Sequence, residues 1–151
     1  MVYVHPALAV PYVRHRGSAT SSFMLRAVPS FGQSKREAFD FVAVKCSEED
    51  AAATEGGCWF AELRLMFSCK DQHSRLRECA LVRWLQSAPD DSYDELQLQR
   101  LTWKSTRLPT VRGQTRLVPH YDVIEVNCII KPVFLQRQPS DHSYFFYNEF
   151  V

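Results

Sequence analysis

No stretch of this chain approaches the ~20 consecutive apolar residues that a membrane-spanning helix requires. Segment 1–17, MVYVHPALAVPYVRHRG, is mildly apolar, but Pro6 and Pro11 interrupt it and no basic stretch precedes it. A secretion signal is therefore not expected. Neither sign of charge is in real excess: 18 Lys and Arg stand against 17 Asp and Glu, a net charge of +1. A balance of that kind supplies no overall attraction to nucleic acid or to an acidic membrane, so any such contact must come from a local patch. CxxC pairs are missing, and the five cysteines are odd in number. Cys46, Cys69, Cys79 and Cys128 lie in apolar runs and Cys58 opens one, the pattern of reduced core thiols in an intracellular protein. The sequence has no GxGxxG and no phosphate-binding loop, and no His and Cys residues at zinc-site spacing. Cys69, Asp71 and His73 stand close together, but at a hairpin tip, where no cavity excludes water. The expectation is a protein that is not an enzyme and needs no cofactor or metal.

What the sequence has in quantity is alternation. Residues 59–86 read WFAELRLMFSCKDQHSRLRECALVRWLQ. Trp59, Ala61, Leu63, Leu65, Phe67 and Cys69 fall on every second position, which predicts a strand with one buried face. Polar residues follow at 70–78 and a second apolar run at 79–85, so the pair reads as a long β-hairpin with an exposed tip. Segment 39–46, FDFVAVKC, predicts a strand with Phe39, Phe41 and Ala43 on one face and Val42, Val44 and Cys46 on the other. Shorter strands are expected at 23–28 and 97–104. Segments 47–57, 87–96 and 105–119 read as loops, rich in acid, Gly or Pro. In 121–135 the period breaks near Ile129 and Ile130, by a β-bulge or by a helical turn at 126–129. Residues 144–151 predict a final strand, with Phe145 and Tyr147 on one side and Tyr144, Phe146 and Phe150 on the other.

At 151 residues and 46% hydrophobic content the chain can bury a real core. We expect residues 1–21 to be a flexible N-terminal arm and 22–151 a single domain. Amphipathic helix patterns are almost absent. The fold class is all-β: a small, partly open barrel of about six or seven mainly antiparallel strands, with at most short helical turns.

The order of the blocks FDFVAV, WFAELRLMFSC, ECALVRWL, LTWKS, YDVIEVNCIIKPVFL and HSYFFYNEFV resembles the core of a BAH-type (bromo-adjacent homology) domain. It is most similar to the divergent BAH-like segments of proteins encoded by fungal and oomycete transposons of the Kyakuja–Dileera–Zisupton kind. The resemblance covers residues 39–151. It implies a non-enzymatic, transposon-derived protein-interaction module in the nucleus, with a chromatin or histone-peptide partner. It also implies that Trp59, Trp84 and Tyr93 wall an aromatic cage for a methylated ammonium, with Asp90, Asp91 and Asp94 near it. Cation–π attraction would hold the ligand, at ~0.5–2 kcal/mol per contact. Beside this stands plain packing, since strand tryptophans commonly belong to a core.

Arg100, Lys104, Arg107, Arg112 and Arg116 form a basic run with no acid among them and Trp103 inside it. The alternative function is a nucleic-acid-binding β module in which these cations hold phosphates and Trp103 stacks a base. An ordinary solvated loop and a degenerate fragment without selected function are the two bland readings.

Overall fold

The computed structural model describes residues 1–12, 21–31, 36–47, 58–88 and 98–147. Their strands are β1 (Val2–His5), β2 (Ala7–Tyr12), β3 (Ser21–Phe31), β4 (Arg36–Phe39), β5 (Phe41–Lys45), β6 (Cys58–Lys70) and β7 (Leu76–Ser87), followed by β8 (Gln99–Trp103), β9 (Ser105–Pro109), β10 (Thr115–Pro119), β11 (Tyr121–Glu125), β12 (Ile129–Val133), β13 (Leu135–Arg137) and β14 (Tyr144–Tyr147). All pairings among them are antiparallel.

The long hairpin forms as its alternation dictates, with β6 and β7 joined through a tip at Asp71–Arg75. Around it runs one sheet in the order β12-β5-β6-β7-β8-β14-β13. Only Phe134 separates β12 from β13 in the chain, so the two ends of that sheet approach each other and it curls into a nearly closed barrel of seven strands. The small, partly open barrel is thus the architecture. β1 adds to β6, β11 adds to β7, β2-β3-β4 make a second sheet, and β9 and β10 make a separate ribbon.

Alternation sends side chains to both faces of β5-β6-β7, and each face has its own core. Inside the barrel lie Ala43, Phe60, Leu85, Leu101, Leu135 and Phe145. The outer face carries Val42, Val44, Ala61, Leu63, Val82 and Trp84, covered by Leu25 and Ala27 of β3. Because the two cores share β5-β6-β7, neither can loosen without exposing the back of the other.

Four local expectations change on contact with tertiary structure. The alternation of β6 does not run unbroken to Cys69. Leu63 pairs with Val82 and Leu65 with Leu81, which leaves Arg64 as one extra residue, a β-bulge. Beyond it the phase inverts: Met66 joins Leu63 in the outer core, and Leu65, Phe67 and Cys69 turn to the other face. The bulge places the Arg64 guanidinium 2.7 Å from the Glu62 carboxylate and 4.0 Å over the Phe39 ring. Glu62 is only 7% exposed, so this partner offsets a costly buried charge.

Phe39 does not share a face with Phe41. The chain turns at Asp40, and Phe39 packs on the outer core while Phe41 packs inside the barrel. The turn is clamped by Arg26, whose backbone N–H, Nε and Nη2 donate to the Asp40 carboxylate at 2.8, 3.2 and 2.9 Å. The first twelve residues, expected as part of an arm, are laid down as β1 and β2 on β6 and β3, because β6 beyond its contact with β5 offers a free ladder edge. Segment 105–119, expected as a loop, is the β9–β10 ribbon. Its prolines stand at the strand ends, where a missing donor costs least, and Gly113 takes the positive φ of the turn, 72°. In 121–135 both open alternatives occur: a 3-10 turn at Val126–Cys128 and a register irregularity between Ile129 and Lys131.

Candidate functional site

The site follows from where the β6–β7 ladder stops. Its last pair is Ala61 with Trp84. β6 continues to Cys58 beside β5, whereas β7 continues to Ser87 beside β8. The two strands therefore part, and a cavity of about 430 Å³ opens between them. Trp59, Trp84, Gln86, Lys104, His120 and Asp122 border it.

Trp59 and Trp84 share this cavity. They lie on one face because Ala61 faces Trp84 across the ladder and Trp59 is two residues from Ala61. Their rings meet edge to face, with centroids 5.4 Å apart and planes at 84°. Such pairs contribute ~0.5–1.5 kcal/mol beyond burial. Trp84 is 5% exposed and belongs to the outer core; Trp59 is half-buried and presents the wall a ligand can reach. The Lys104 ammonium stands over the Trp59 ring, 6.0 Å from its centroid.

Trp84 also anchors the ribbon. Its N–H donates to the His120 carbonyl at 3.0 Å, and its carbonyl accepts from Lys104 N–H at 3.0 Å. His120 N–H donates to the Lys104 carbonyl at 3.1 Å, which closes the root of the ribbon. β8 and β11 thus run along one edge of β7, and β9–β10 is an excursion between them. Thr106 Oγ1 and His120 Nδ1 lie 2.6 Å apart, a hydrogen bond that sets the ring. Asp122 accepts from the Val123 N–H at 2.8 Å through one oxygen. Among the described residues the cavity thus combines the Trp59 ring face, the Asp122 carboxylate, the Lys104 ammonium and the His120 imidazole.

The other sequence candidates are scattered. Tyr93, with Asp90, Asp91 and Asp94, lies outside the described residues. Trp103 is packed against the barrel core, edge-on to Phe145 at 5.2 Å with the Arg83 guanidinium 4.0 Å over it. Arg100 lies on β8 with its guanidinium 3.8 Å over the Tyr144 ring. Lys104 belongs to the cavity, and Arg107, Arg112 and Arg116 belong to the ribbon. Asp71 at the hairpin tip is a turn lock. It accepts from the backbone N–H groups of His73 at 2.8 Å and Arg75 at 3.0 Å, and from Arg77 Nε at 3.2 Å. The Arg75 N–H, chief among these donors, helps hold its carboxyl below the ordinary range.

His120 and Asp122 are the functional candidates that the sequence did not mark. They follow Pro119 at the end of a polar stretch, and only pairing with distant Trp84 brings them to Trp59. Comparison with protein-family models, with curated proteins and with solved structures returns no match.

Proposed function

We propose that this protein is a non-enzymatic protein-interaction module that takes an extended peptide into the cleft between β6 and β7. A cationic side chain of the peptide lies on Trp59, with Trp84 as the perpendicular second wall and Asp122 as the counter-charge. The observation that carries this reading is Lys104: an ammonium of the chain itself already stands over the Trp59 face inside the cavity. The ring face therefore points into accessible space and accepts a cation. A ligand ammonium takes this place by displacing Lys104.

The surroundings also select the peptide. Among the described residues that border the cleft, Lys104 brings one positive charge and Asp122 one negative. A cation set among acidic or neutral residues suits this rim better than an unbroken basic tail. The BAH-type resemblance adds a nuclear, chromatin-associated partner to the proposal, with methylated lysine as the cation that gains most from an aromatic wall.

The test is a calorimetric titration with peptides carrying one lysine, unmodified or trimethylated, in acidic, neutral and basic flanks, including histone-tail sequences. Trp59→Ala is the diagnostic variant; Trp84 is buried, so its loss would confound binding with stability. Losing one cation–π contact of ~0.5–2 kcal/mol weakens binding about 2- to 30-fold. Lys104→Ala removes the resident competitor and tightens binding. Wild type that melts cooperatively yet binds none of the peptides would remove the proposal, as would equal affinity for wild type and Trp59→Ala.

A further inference from the structure

We infer that the β9–β10 ribbon is a second, separate binding element, a wedge for the groove of duplex DNA. This does not rest on the peptide reading of the cleft. The first observation is the placement of charge. Between Gln99 and Tyr121 the chain carries five cations and no acid, against a net charge of +1 for the whole protein. Two of the five are engaged near the domain, Arg100 over Tyr144 and Lys104 over Trp59. The other three, Arg107, Arg112 and Arg116, are on the ribbon and exposed. Among the described residues none of these three makes an ion pair.

The second observation is their direction. Arg107 sits opposite Leu117, and Arg116 sits opposite Leu108. Directly paired residues share a face and successive residues alternate, so Arg107 and Arg116 project from opposite faces. Arg112 lies in the turn between them. A ribbon lying flat on an anionic surface needs its cations on one side. A ribbon inserted into a groove has a phosphate backbone on each side and needs cations on both, which is the distribution here. The B-form major groove, ~12 Å wide and ~8.5 Å deep, admits a two-stranded ribbon. Strands of five residues extend ~17 Å, enough to reach the groove floor from the root.

The third observation is rigidity and the nature of the tip. Thr110 N–H donates to the Gln114 carbonyl at 2.7 Å, Thr110 Oγ1 donates to the same carbonyl at 2.8 Å, and Gly113 N–H donates to the Thr110 carbonyl at 3.0 Å. The turn is closed at its end and pinned to Trp84 at its root, so little ordering entropy is lost on insertion. Val111 at the tip is fully exposed, and Leu108 and Leu117 are 49% and 64% exposed. Apolar groups there make the contact that thymine methyl groups offer in the major groove.

The experiment is fluorescence anisotropy of a labelled 20-base-pair DNA duplex across a salt series, beside the same sequence as duplex RNA and as single-stranded DNA. Two phosphate contacts, one from Arg107 and one from Arg116, give a slope of log K against log salt of about −1.8. The triple variant R107Q/R112Q/R116Q abolishes measurable binding, and R107Q or R116Q alone each reduces the slope by about 0.9. Duplex RNA binds more weakly, because its deep, narrow major groove excludes the ribbon. The substituted residues are solvent-exposed, and an unchanged melting curve confirms that the fold survives. Triple-variant binding equal to wild type overturns the inference, as does single-stranded DNA or duplex RNA bound as tightly as duplex DNA. So does a wild type that ignores the duplex at low salt. Peptide binding in the cleft is scored separately with Trp59→Ala, so either proposal can fail without the other.

Discussion

Replacing Phe145 by Ala is the sharpest test of the barrel. Phe145 is 0% exposed and sits on β14, between β8 and β13. Its ring lies 5.4 Å from Phe41 and 5.2 Å from Trp103. It therefore joins β5 on one side of the barrel to β8 on the other, across the interior. Removing the ring loses ~1.5–3 kcal/mol of apolar transfer. Two aromatic pairs go with it, at ~0.5–1.5 kcal/mol each. The sum agrees with the ~3–5 kcal/mol typical of such truncations, to be set against a total stability of ~5–15 kcal/mol. In urea, with m of ~2 kcal/mol/M, the midpoint falls by about 1.5–2.5 M. Ile130→Ala, at an exposed position of β12, is the control and costs under ~0.5 kcal/mol. Tryptophan fluorescence and far-UV circular dichroism should give one coincident transition, because the two cores share β5-β6-β7. A loss below ~1 kcal/mol for Phe145→Ala would refute the closed interior. Two separate transitions would refute the shared sheet.

Three further outcomes follow from local chemistry. The carboxyl of Asp71 is depressed below its unfolded value of about 3.9, so its contribution is present above that pH and is lost as pH falls through the lower folded value. Amide exchange at His73 and Arg75, compared with Asp71→Asn, reads this; protection unchanged in the variant would count against the lock. Arg64→Ala leaves the Glu62 carboxylate nearly buried without its ion partner and costs about 1–3 kcal/mol, whereas Arg64→Ala combined with Glu62→Gln recovers part of that loss. Denaturant midpoints decide it, and a double variant no more stable than the single would remove the pairing argument. Burial pushes the Cys79 thiol up, so at pH 7 it alkylates more slowly than an unfolded-peptide cysteine. Mass spectrometry of timed iodoacetamide reactions resolves the site, and a rate equal to the peptide's would contradict its burial.

The period of two made the hairpin legible, since side chains on a pleated strand must alternate and an apolar face must be covered. It also made the all-β class legible, and residues 144–147 of the final strand: Phe145 and Tyr147 share a face in the barrel core as the spacing requires, while 148–151, with Phe150, lie outside the described residues. The cavity was half legible. Trp59 and Trp84 stood out as large rings on strands, but whether they met depended on register, which a single bulge at Arg64 or a slip of one residue would change. Trp103 read as an exposed aromatic in a basic run, yet β14 pairs with β8 and brings Phe145 against it. Nothing in residues 97–104 encodes that partner.

By itself, the sequence determined the strands with strong alternation, above all the long hairpin and where it turns, and that cations gather between Arg100 and Arg116; it did not mark β1, β2, β9 or β10. These are short-range facts, set by backbone geometry and by the cost of exposing apolar side chains. Tertiary structure alone decided which strands are neighbours. That choice placed β8 and β11 along one edge of β7, split β6 from β7 beyond Trp84, and raised β9–β10 as a ribbon from the rim of the resulting cavity. The reason is physical: ladder hydrogen bonds are alike along every strand, so the local code does not specify a partner. Selection among partners comes from the two cores, whose side chains must be buried together on opposite faces of one sheet.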